Sequence, residues 1–173
     1  MSQTDTAFVD LLSNTRHSAV HLELRDAYGI GEETVEFEKW RAGWRPEADP
    51  QSWWSGFHTW VRDATARGVV LRRARIVSEP VSDYIRYEHG CTYQNIAAGE
   101  SVRWLPRRRS SDIALPGNDF WLFDQSVIMW NHFTGDGGSA GPELDERPDV
   151  AQFCATAFEE VWQRATPHED YHV

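Results

Sequence analysis

The spacing of apolar residues along this chain predicts both strands and helices. Apolar and polar side chains alternate over residues 18–25, which is the two-residue period of a strand with one buried face. Apolar residues recur at helical spacing in the next strong pattern, at Trp53, Phe57, Trp60, Val61 and Ala64. Asp49 and Pro50 suit the cap and first turn of this helix, and Gly68 suits its end.

The same two periods predict the remaining elements. Helices are expected at residues 6–14, 32–42, 80–98 and from Pro148 onward, and strands at 69–77, 102–105, 119–124, 127–133 and near Glu143. This alternation predicts an α/β fold with a mixed, partly parallel sheet and flanking helices. We expect a single domain over residues 1–173, with an N-terminal helix within 1–16 and a polar tail at 166–173.

Composition narrows the class of protein. The 173 residues suffice for one domain with a hydrophobic core. A net charge of −10 argues against a general nucleic-acid binder. Cys91 and Cys154 form no CxxC pair and are interpreted as buried thiols in a reducing compartment. No signal-peptide pattern and no run of about 20 apolar residues occurs, so we expect a cytoplasmic protein without a membrane partner. The nine tryptophans fit a bulky core, a partner-binding surface or an aromatic ligand pocket.

One candidate site follows the predicted strand 69–77. Polar and aromatic side chains cluster there, at Ser78, Glu79, Asp83, Tyr84, Arg86 and Tyr87. Because open α/β sheets bind ligands at the carboxyl ends of their strands, these residues are candidates for ligand binding. The alternative is structural: Ser78 and Asp83 cap the next helix, and Glu79 pairs with an arginine.

Two further groups carry possible chemistry. Arg103 and Arg107, with Trp104 and the neighbouring Arg108 and Arg109, could hold an anion, or they could form a solvated loop. The predicted hairpin carries Asp119, Trp121, Asp124, Asn131 and His132. A histidine near a carboxylate can act as a general base, so Glu79, Asp124 and His132 are candidate acid–base residues.

No motif indicates a cofactor or a metal. His168 and His172 are spaced for metal binding only if they lie on a helix, and a frayed tail is the expected state. The glycines at 135–138 lack the lysine and hydroxyl residue that follow in a phosphate-binding Walker loop. We therefore interpret that segment as a turn.

Three blocks of sequence resemble an uncharacterised actinomycete family. They are residues 72–87 (RRARIVSEPVSDYIRY), 103–106 (RWLP) and 118–124 (NDFWLFD). The resemblance extends from Leu22 to about His168. It implies a domain of unknown function whose members are encoded beside helix-turn-helix regulators, and therefore a helix-turn-helix protein as the partner.

The order of elements also resembles one half of a phospholipase D-like fold. Active members carry a His, a Lys two positions on and an Asp five further. When the Asp is aligned with Asp124, Gly117 stands in place of the His and Asp119 in place of the Lys. Phosphodiester chemistry of this kind needs the imidazole as nucleophile and the cation to hold phosphate. The resemblance therefore implies that this chain lacks that activity.

These observations leave three hypotheses open. The missing His and Lys favour a non-catalytic module that binds a ligand or partner and acts in regulation with the helix-turn-helix protein. The alternative is an enzyme or biosynthetic accessory protein acting on a small anionic metabolite, with the arginines holding the anion. Direct contact between nucleic acid and the arginines at 107–109 is a third hypothesis, which the acidic net charge disfavours.

Overall fold

The computed structural model describes residues 3–29, 31–45 and 54–173. The helices within these ranges are α1 (Gln3–Asn14), α2 (Gly31–Arg41), α3 (Gly56–Ala66), α4 (Asp83–Cys91), α5 (Tyr93–Ala97) and α6 (Pro148–Arg164). The strands are β1 (Ser18–Glu23), β2 (Val70–Val77), β3 (Ser101–Pro106), β4 (Asp119–Phe123), β5 (Val127–Phe133), β6 (Ser139–Asp145) and β7 (Thr166–Pro167). None of the helices in the described ranges has the length and apolarity that a membrane crossing requires.

The strands form one mixed sheet in the order β6-β5-β4-β1-β2-β3-β7. The pairs β1–β2 and β2–β3 are parallel, and the others are antiparallel. Ser18 lies opposite Val70, and Glu23 lies opposite Arg75. The carboxyl ends of β1, β2 and β3 therefore lie along one edge of the sheet, which we call the carboxyl edge. The predicted α/β class and partly parallel sheet are confirmed.

Helix α6 covers one face of the sheet. Apolar residues of five strands pack there against the helix and form one core: Val20, Leu22, Ala74, Ile76, Leu105, Phe120, Leu122 and Ile128 from the strands, and Ala151, Cys154, Phe158 and Val161 from α6. The side chains on this face recur every second residue along the strands. The two-residue period therefore found this core correctly.

The other face carries two apolar clusters instead of one. Helices α1 and α3 cover the first cluster, which includes Phe8, Leu12, Val61, Leu71 and Trp121. Helix α4 covers the second, which includes Val77, Tyr84, Tyr87, Val102 and Trp104. Along β2, Leu71 belongs to the first cluster and Val77 to the second.

Charged residues occupy the sheet between these two clusters. Arg73 and Arg75 follow Leu71 on the same face of β2, and His21 and Glu23 lie beside them on β1. All four are buried. The prediction of a strand within residues 18–25 is confirmed by β1, but the expectation that it is buried on one face only is wrong. The polar side is covered by helices, and its charges are paired within the protein.

Two predicted helices differ in their boundaries. Helix α3 begins at Gly56, where Ser55 and His58 form a capping box, and Asp49, Pro50 and Trp53 lie outside the described residues. The helix expected over 80–98 is two helices, since the helix is interrupted at Thr92. The first of them, α4, is capped by Ser82 and does not begin at Pro80. The Thr92 hydroxyl accepts a hydrogen bond from Arg75 Nη1 at 3.1 Å. The residue at this interruption therefore supplies a hydrogen-bond acceptor to the buried Arg75.

The tail at 166–173 is packed rather than frayed. Strand β7 pairs with β3, and Tyr171 is buried against Trp104. Trp104 Nε1 donates to His168 Nδ1 at 3.1 Å, and His89 Nε2 lies 2.8 Å from the Tyr171 carbonyl oxygen. The expectation of a frayed terminus is therefore wrong, because strand pairing, aromatic contacts and these hydrogen bonds hold the segment on the sheet.

Candidate functional site

The carboxyl edge joins the ends of three strands through Arg107. Its Nη2 donates to Leu24 O at 2.7 Å, just beyond β1, and to Ile76 O at 3.0 Å, near the end of β2. Its Nε donates to Ser78 Oγ at 3.0 Å. The Ser78 hydroxyl in turn donates to Asp26 Oδ2 at 2.6 Å. Sequence reasoning proposed Ser78 and Arg107 separately, and the structure brings them into contact.

Asp26 is the member of this cluster that sequence reasoning missed. It accepts from the Ser78 backbone N–H at 2.7 Å, and Arg107 Nη2 lies 3.2 Å from its Oδ2. Asp26 belongs to a segment that the sequence marks only as a turn rich in Gly and Asp. The available signal was its place just beyond a predicted strand, at the edge where ligands bind.

Glu79 lies beside this cluster and anchors the tail. The Tyr171 hydroxyl donates to Glu79 Oε1 at 2.9 Å. Burial raises the pKa of Tyr171, and the hydrogen bond to Glu79 raises it further. Glu169 and Asp170 precede Tyr171 and are exposed, as are Glu79 and Asp83. Five carboxylates form what we call the acidic rim: Asp26, which is half-buried, follows β1 at the carboxyl edge, Glu79 and Asp83 follow β2 there, and Glu169 and Asp170 belong to the tail that Tyr171 attaches to Glu79.

Asp119 is a buried acid at the same edge. Its Oδ1 accepts from the Leu24 N–H at 3.0 Å, and its Oδ2 accepts from the Tyr28 hydroxyl. Burial raises the pKa of Asp119 to about 6, although the hydrogen bond from Tyr28 opposes that rise. Burial also raises the pKa of Tyr28, and the nearby Glu23 and Asp119 add to the effect. Asp119 stands where the phospholipase D resemblance would require a lysine.

The aromatic candidates are buried and pack on each other. Tyr84 and Tyr87 pack against Phe37 of α2 with ring centroids 5.2 and 5.5 Å away. Trp121 stacks on His21, with centroids 4.3 Å apart and 15° between the planes. Within the described ranges, these rings therefore contribute to the clusters beneath the helices rather than to an open ligand surface.

The arginine candidates lie in different parts of the structure. Arg86 is exposed and pairs with Asp83 at 3.1 Å within α4. Arg103 donates to Trp162 O at 3.0 Å and lies over the Trp162 ring. Its side chain therefore belongs to the face that α6 covers.

Asp124 and His132 do not meet Glu79. Asp124 ends β4 and accepts from the backbone N–H groups of Arg16, His17 and Ser18 at 2.9, 2.8 and 2.9 Å. Burial alone would raise its pKa, but these three donors lower it. With a rise of about 3.3 Å per strand residue, Asp124 lies about 16 Å from Asp119 at the other end of β4. His132 Nε2 lies 2.8 Å from exposed Glu143.

The charged residues between the apolar clusters form a buried ionic layer. Glu23 binds both Arg73 and Arg75. Arg73 also pairs with Glu100 at 2.9 Å, and Arg75 with Glu88 at 3.2 Å. Burial alone would raise the pKa of Glu23, but Arg75 and Arg73 outweigh it and lower the pKa to about 2. Two arginines spaced two apart in a strand, as in residues 69–77, were the sequence signal for this layer.

His21 completes the layer as a neutral group. Burial lowers its pKa well below the usual value, and Arg73 lowers it further, against the opposing effect of Glu23. Its Nδ1 lies 3.4 Å from Glu23 Oε1, without the geometry of a hydrogen bond. Among the described residues, no group of three or more His, Cys, Asp or Glu side chains is arranged to hold a metal ion.

The carboxyl edge therefore offers surface carboxylates whose positions are fixed by neighbouring donors. The hydroxyl of Ser78 and the guanidinium of Arg107 already bind Asp26 and main-chain carbonyls. Such an arrangement can present a fixed pattern of negative charge to a partner. Asp119 adds a carboxyl group that can take up and release a proton near neutral pH.

Comparisons with known proteins give a family and a fold. A family model described as a domain of unknown function (DUF6879) matches residues 6–173. No curated protein matches the chain at a significant level. Forty or more solved chains do match, all of those described below at 10% identity or less.

Two of the similar structures are the bacterial proteins Nuc and NucT. Nuc from Salmonella typhimurium, a phospholipase D family member, is 10% identical with a TM-score of 0.52, over 98% of this chain and 91% of its own. NucT from Helicobacter pylori is 7% identical with a TM-score of 0.52, over 95% and 90%.

A third similar structure is an archaeal chromatin protein. TrmBL2, described as having a novel mode of DNA binding, is 10% identical with a TM-score of 0.50, and the match covers 94% of this chain but only half of TrmBL2. At these identities the comparisons establish the fold alone. The sheet and its helices are phospholipase D-like.

Proposed function

The chain belongs to the DUF6879 family, and on that premise we propose that its phospholipase D-like fold serves as a non-catalytic module that binds a basic helix-turn-helix regulator. The acidic rim is the contact surface. The observation that carries the proposal is that the residues aligned with the catalytic Lys and Asp are hydrogen-bonded to other parts of the fold. Asp124 accepts three backbone N–H groups, and Asp119 accepts from Tyr28 and Leu24.

Charge supports a basic partner. The chain carries a net charge of −10, and four of the five rim carboxylates are exposed. DNA-binding proteins carry clustered Lys and Arg, and complementary surface potentials speed association and select partners. The choice of a helix-turn-helix protein rests on the actinomycete family that the sequence resembles, whose members are encoded beside such regulators.

The rim can be tested without disturbing the fold. Glu79→Gln keeps an oxygen that accepts the Tyr171 hydroxyl, and Glu169 and Asp170 are exposed. The triple variant Glu79→Gln, Glu169→Gln, Asp170→Asn removes three negative charges. The control Asp10→Asn, Glu146→Gln, Glu160→Gln removes the same charge from exposed positions elsewhere.

Affinity for the purified helix-turn-helix protein encoded beside the gene is measured by calorimetry at low and moderate salt. We expect the rim variant to bind at least about tenfold more weakly at low salt, because each rim charge contributes mainly through long-range attraction. The control variant should bind as the parent chain does. Equal weakening in both variants, or no complex with the parent chain, would contradict the proposal.

Asp119 favours a second candidate, an enzyme acting on a small anionic metabolite. A carboxyl group with a pKa of about 6 suits proton transfer near neutral pH, and Arg107 could hold the anion. Glu79, Asp124 and His132 are the other acid–base candidates. Turnover that Glu79→Gln abolishes while the regulator complex persists would favour this enzyme. Loss of the complex without any turnover to lose favours the module.

A further inference from the structure

A cleft of about 240 Å³ lies on the α6 face of the sheet, away from the carboxyl edge. It opens where β1 begins and β4 ends. Its lining combines apolar and polar side chains: Ser18, Val20, Arg72, Leu122, Gln125, Ala155, Phe158 and Glu159. A cavity of about 150 Å³ accommodates benzene, so this cleft has room for a molecule of about nine non-hydrogen atoms.

Two opposite charges stand in the cleft. Arg72 Nη2 lies 2.5 Å from Glu159 Oε1, and Nη1 lies 3.2 Å from Oε2. The Arg72 guanidinium also lies over the rings of Phe158 and Trp162, at 5.0 and 5.2 Å from their centroids. These rings hold the cation in place independently of Glu159. Glu159 is about half exposed, so the pair is accessible from solvent, and a ligand that carries both charges can offer each partner a new counter-ion.

Gln125 enters the cleft at a conformational cost. Asp124 and Gln125 are the central residues of the turn between β4 and β5, in which the Ser126 N–H donates to Phe123 O at 3.0 Å. Both loop residues have positive φ, 45° and 57°, as in the type I′ turn, whose second position favours glycine. A glutamine there is less stable than glycine, yet it supplies an amide at the cleft. Residues kept in strained conformations often mark functional sites.

We propose that this cleft binds a free aliphatic α-amino acid. The ligand carboxylate pairs with Arg72, and its ammonium group pairs with Glu159. The aliphatic side chain packs on Val20, Leu122 and Ala155, and Gln125 supplies a neutral hydrogen-bonding group at the rim of the cleft. This site is separate from the acidic rim, so the chain would bind a small molecule at one end of the sheet and its protein partner at the other.

The first experiment titrates the full chain with valine, leucine, isoleucine and methionine by calorimetry. We expect at least one to bind with a Kd at or below about 1 mM. The matching amine without the carboxylate, and the matching acid without the amine, should each bind at least about tenfold more weakly, because each leaves one cleft charge without its partner. Absence of binding by all four amino acids, or equal binding of the half molecules, overturns the proposal.

Variants then assign the contacts. Arg72→Gln should weaken binding at least about tenfold, and Glu159→Gln should shift preference toward the acid that lacks the amine. Glu160→Gln, the exposed neighbour on α6, should bind like the parent chain. Unchanged binding in Arg72→Gln, with the fold verified by circular dichroism, overturns the assignment of the cleft.

Gln125→Gly separates binding from structure. Glycine relieves the positive φ, so the melting temperature should rise, while loss of the amide should weaken amino-acid binding several-fold. A purely structural turn would give the rise in melting temperature with unchanged binding, and that result would remove Gln125 from the site.

Discussion

The ring of Tyr171 lies parallel to the indole of Trp104, with centroids 5.7 Å apart and 6° between the planes. Tyr171 belongs to the tail, and Trp104 is fully buried in β3. The contact ties the tail to the sheet, and the Glu79 hydrogen bond adds a second attachment.

Shortening Tyr171 should therefore destabilise the fold. Tyr171→Ala removes the stacked ring, and we expect a loss of about 3 kcal/mol in the free energy of unfolding. Tyr171→Phe keeps the ring and loses only the hydrogen bond to Glu79, for a loss of about 1 kcal/mol. Urea denaturation measures both. Equal losses in the two variants would mean that the ring contact contributes nothing.

Neutralising Glu23 should be more damaging than removing an exposed charge. Glu23 is the shared acceptor for Arg73 and Arg75, so Glu23→Gln removes one of the two anions that each buried arginine binds and leaves Glu100 and Glu88. We expect a cost of about 3–5 kcal/mol or failure to fold. Exposed Glu38→Gln, which breaks only a pair with Arg41, should cost at most about 0.5 kcal/mol. Urea denaturation of both variants measures the two losses in the free energy of unfolding. A loss in Glu23→Gln as small as that in Glu38→Gln would show that water reaches the buried ionic layer.

Asp119 should make the protein less stable as the pH rises. Its pKa in the folded state is about 6, above its ordinary value of 3.8, so the folded chain holds a proton that the unfolded chain releases. The stabilisation is present below pH 3.8 and is lost as the pH rises through 6. Asp119→Asn should therefore be more stable than the parent chain at pH 7.5, by up to about 3 kcal/mol, and should lose this advantage near pH 4. Melting temperatures at both pH values measure the difference, and a pH-independent gap would contradict the assignment.

His168 should make the protein less stable as the pH falls, the opposite of the effect of Asp119. Burial, with smaller effects of the neighbouring His89 and Arg75, lowers its pKa from 6.5 to about 4. The unfolded chain binds a proton between these values that the folded chain refuses, so stability falls as the pH drops from 6.5 toward 4. His168→Asn keeps a hydrogen-bond acceptor for Trp104 and should flatten this dependence. Thermal melts between pH 7.5 and 4.5 test it, and an unchanged slope would exclude His168 as the source.

Asp124 should matter for stability and not for partner binding. Asp124→Ala leaves three backbone N–H groups at the start of β1 without their acceptor, with an expected cost of about 1–3 kcal/mol because water can reach some of them. Affinity for the regulator should be unchanged at a temperature where the variant is folded. Calorimetry at that temperature checks this, and a weakened complex would extend the contact surface to this end of the sheet.

The sequence predicted the paired strands β4 and β5 almost to the residue. Two largely apolar segments joined by the short turn at residues 124–126 indicated this hairpin, and both faces of β4 are buried. Alternation misjudged the burial of β1, because it cannot distinguish polar residues facing water from polar residues paired beneath helices. The residues next to Glu23 in the sequence give no sign of Glu100, which is linked to Glu23 through Arg73.

The candidate site was predicted in fragments for a similar reason. Ser78 and Arg107 were each proposed from local chemistry, but their contact spans 29 residues and depends on parallel neighbours β2 and β3. Asp26 was missed because a turn rich in Gly and Asp needs no further explanation locally. Asp124 was proposed for chemistry, whereas its backbone donors come from residues 16–18, more than a hundred positions away.

The buried ionic layer should also divide the opening motions on this face of the sheet into two units. Because charged pairs stand between Leu71 and Val77 on β2, the helices over the first apolar cluster share little packing with those over the second. Amide hydrogen exchange should then divide this face into two cooperative opening units, α1 with α3 and α2 with α4, while β1 and β2 exchange only through global unfolding. A regulator docked at the rim would slow exchange in the second unit and leave the first unchanged.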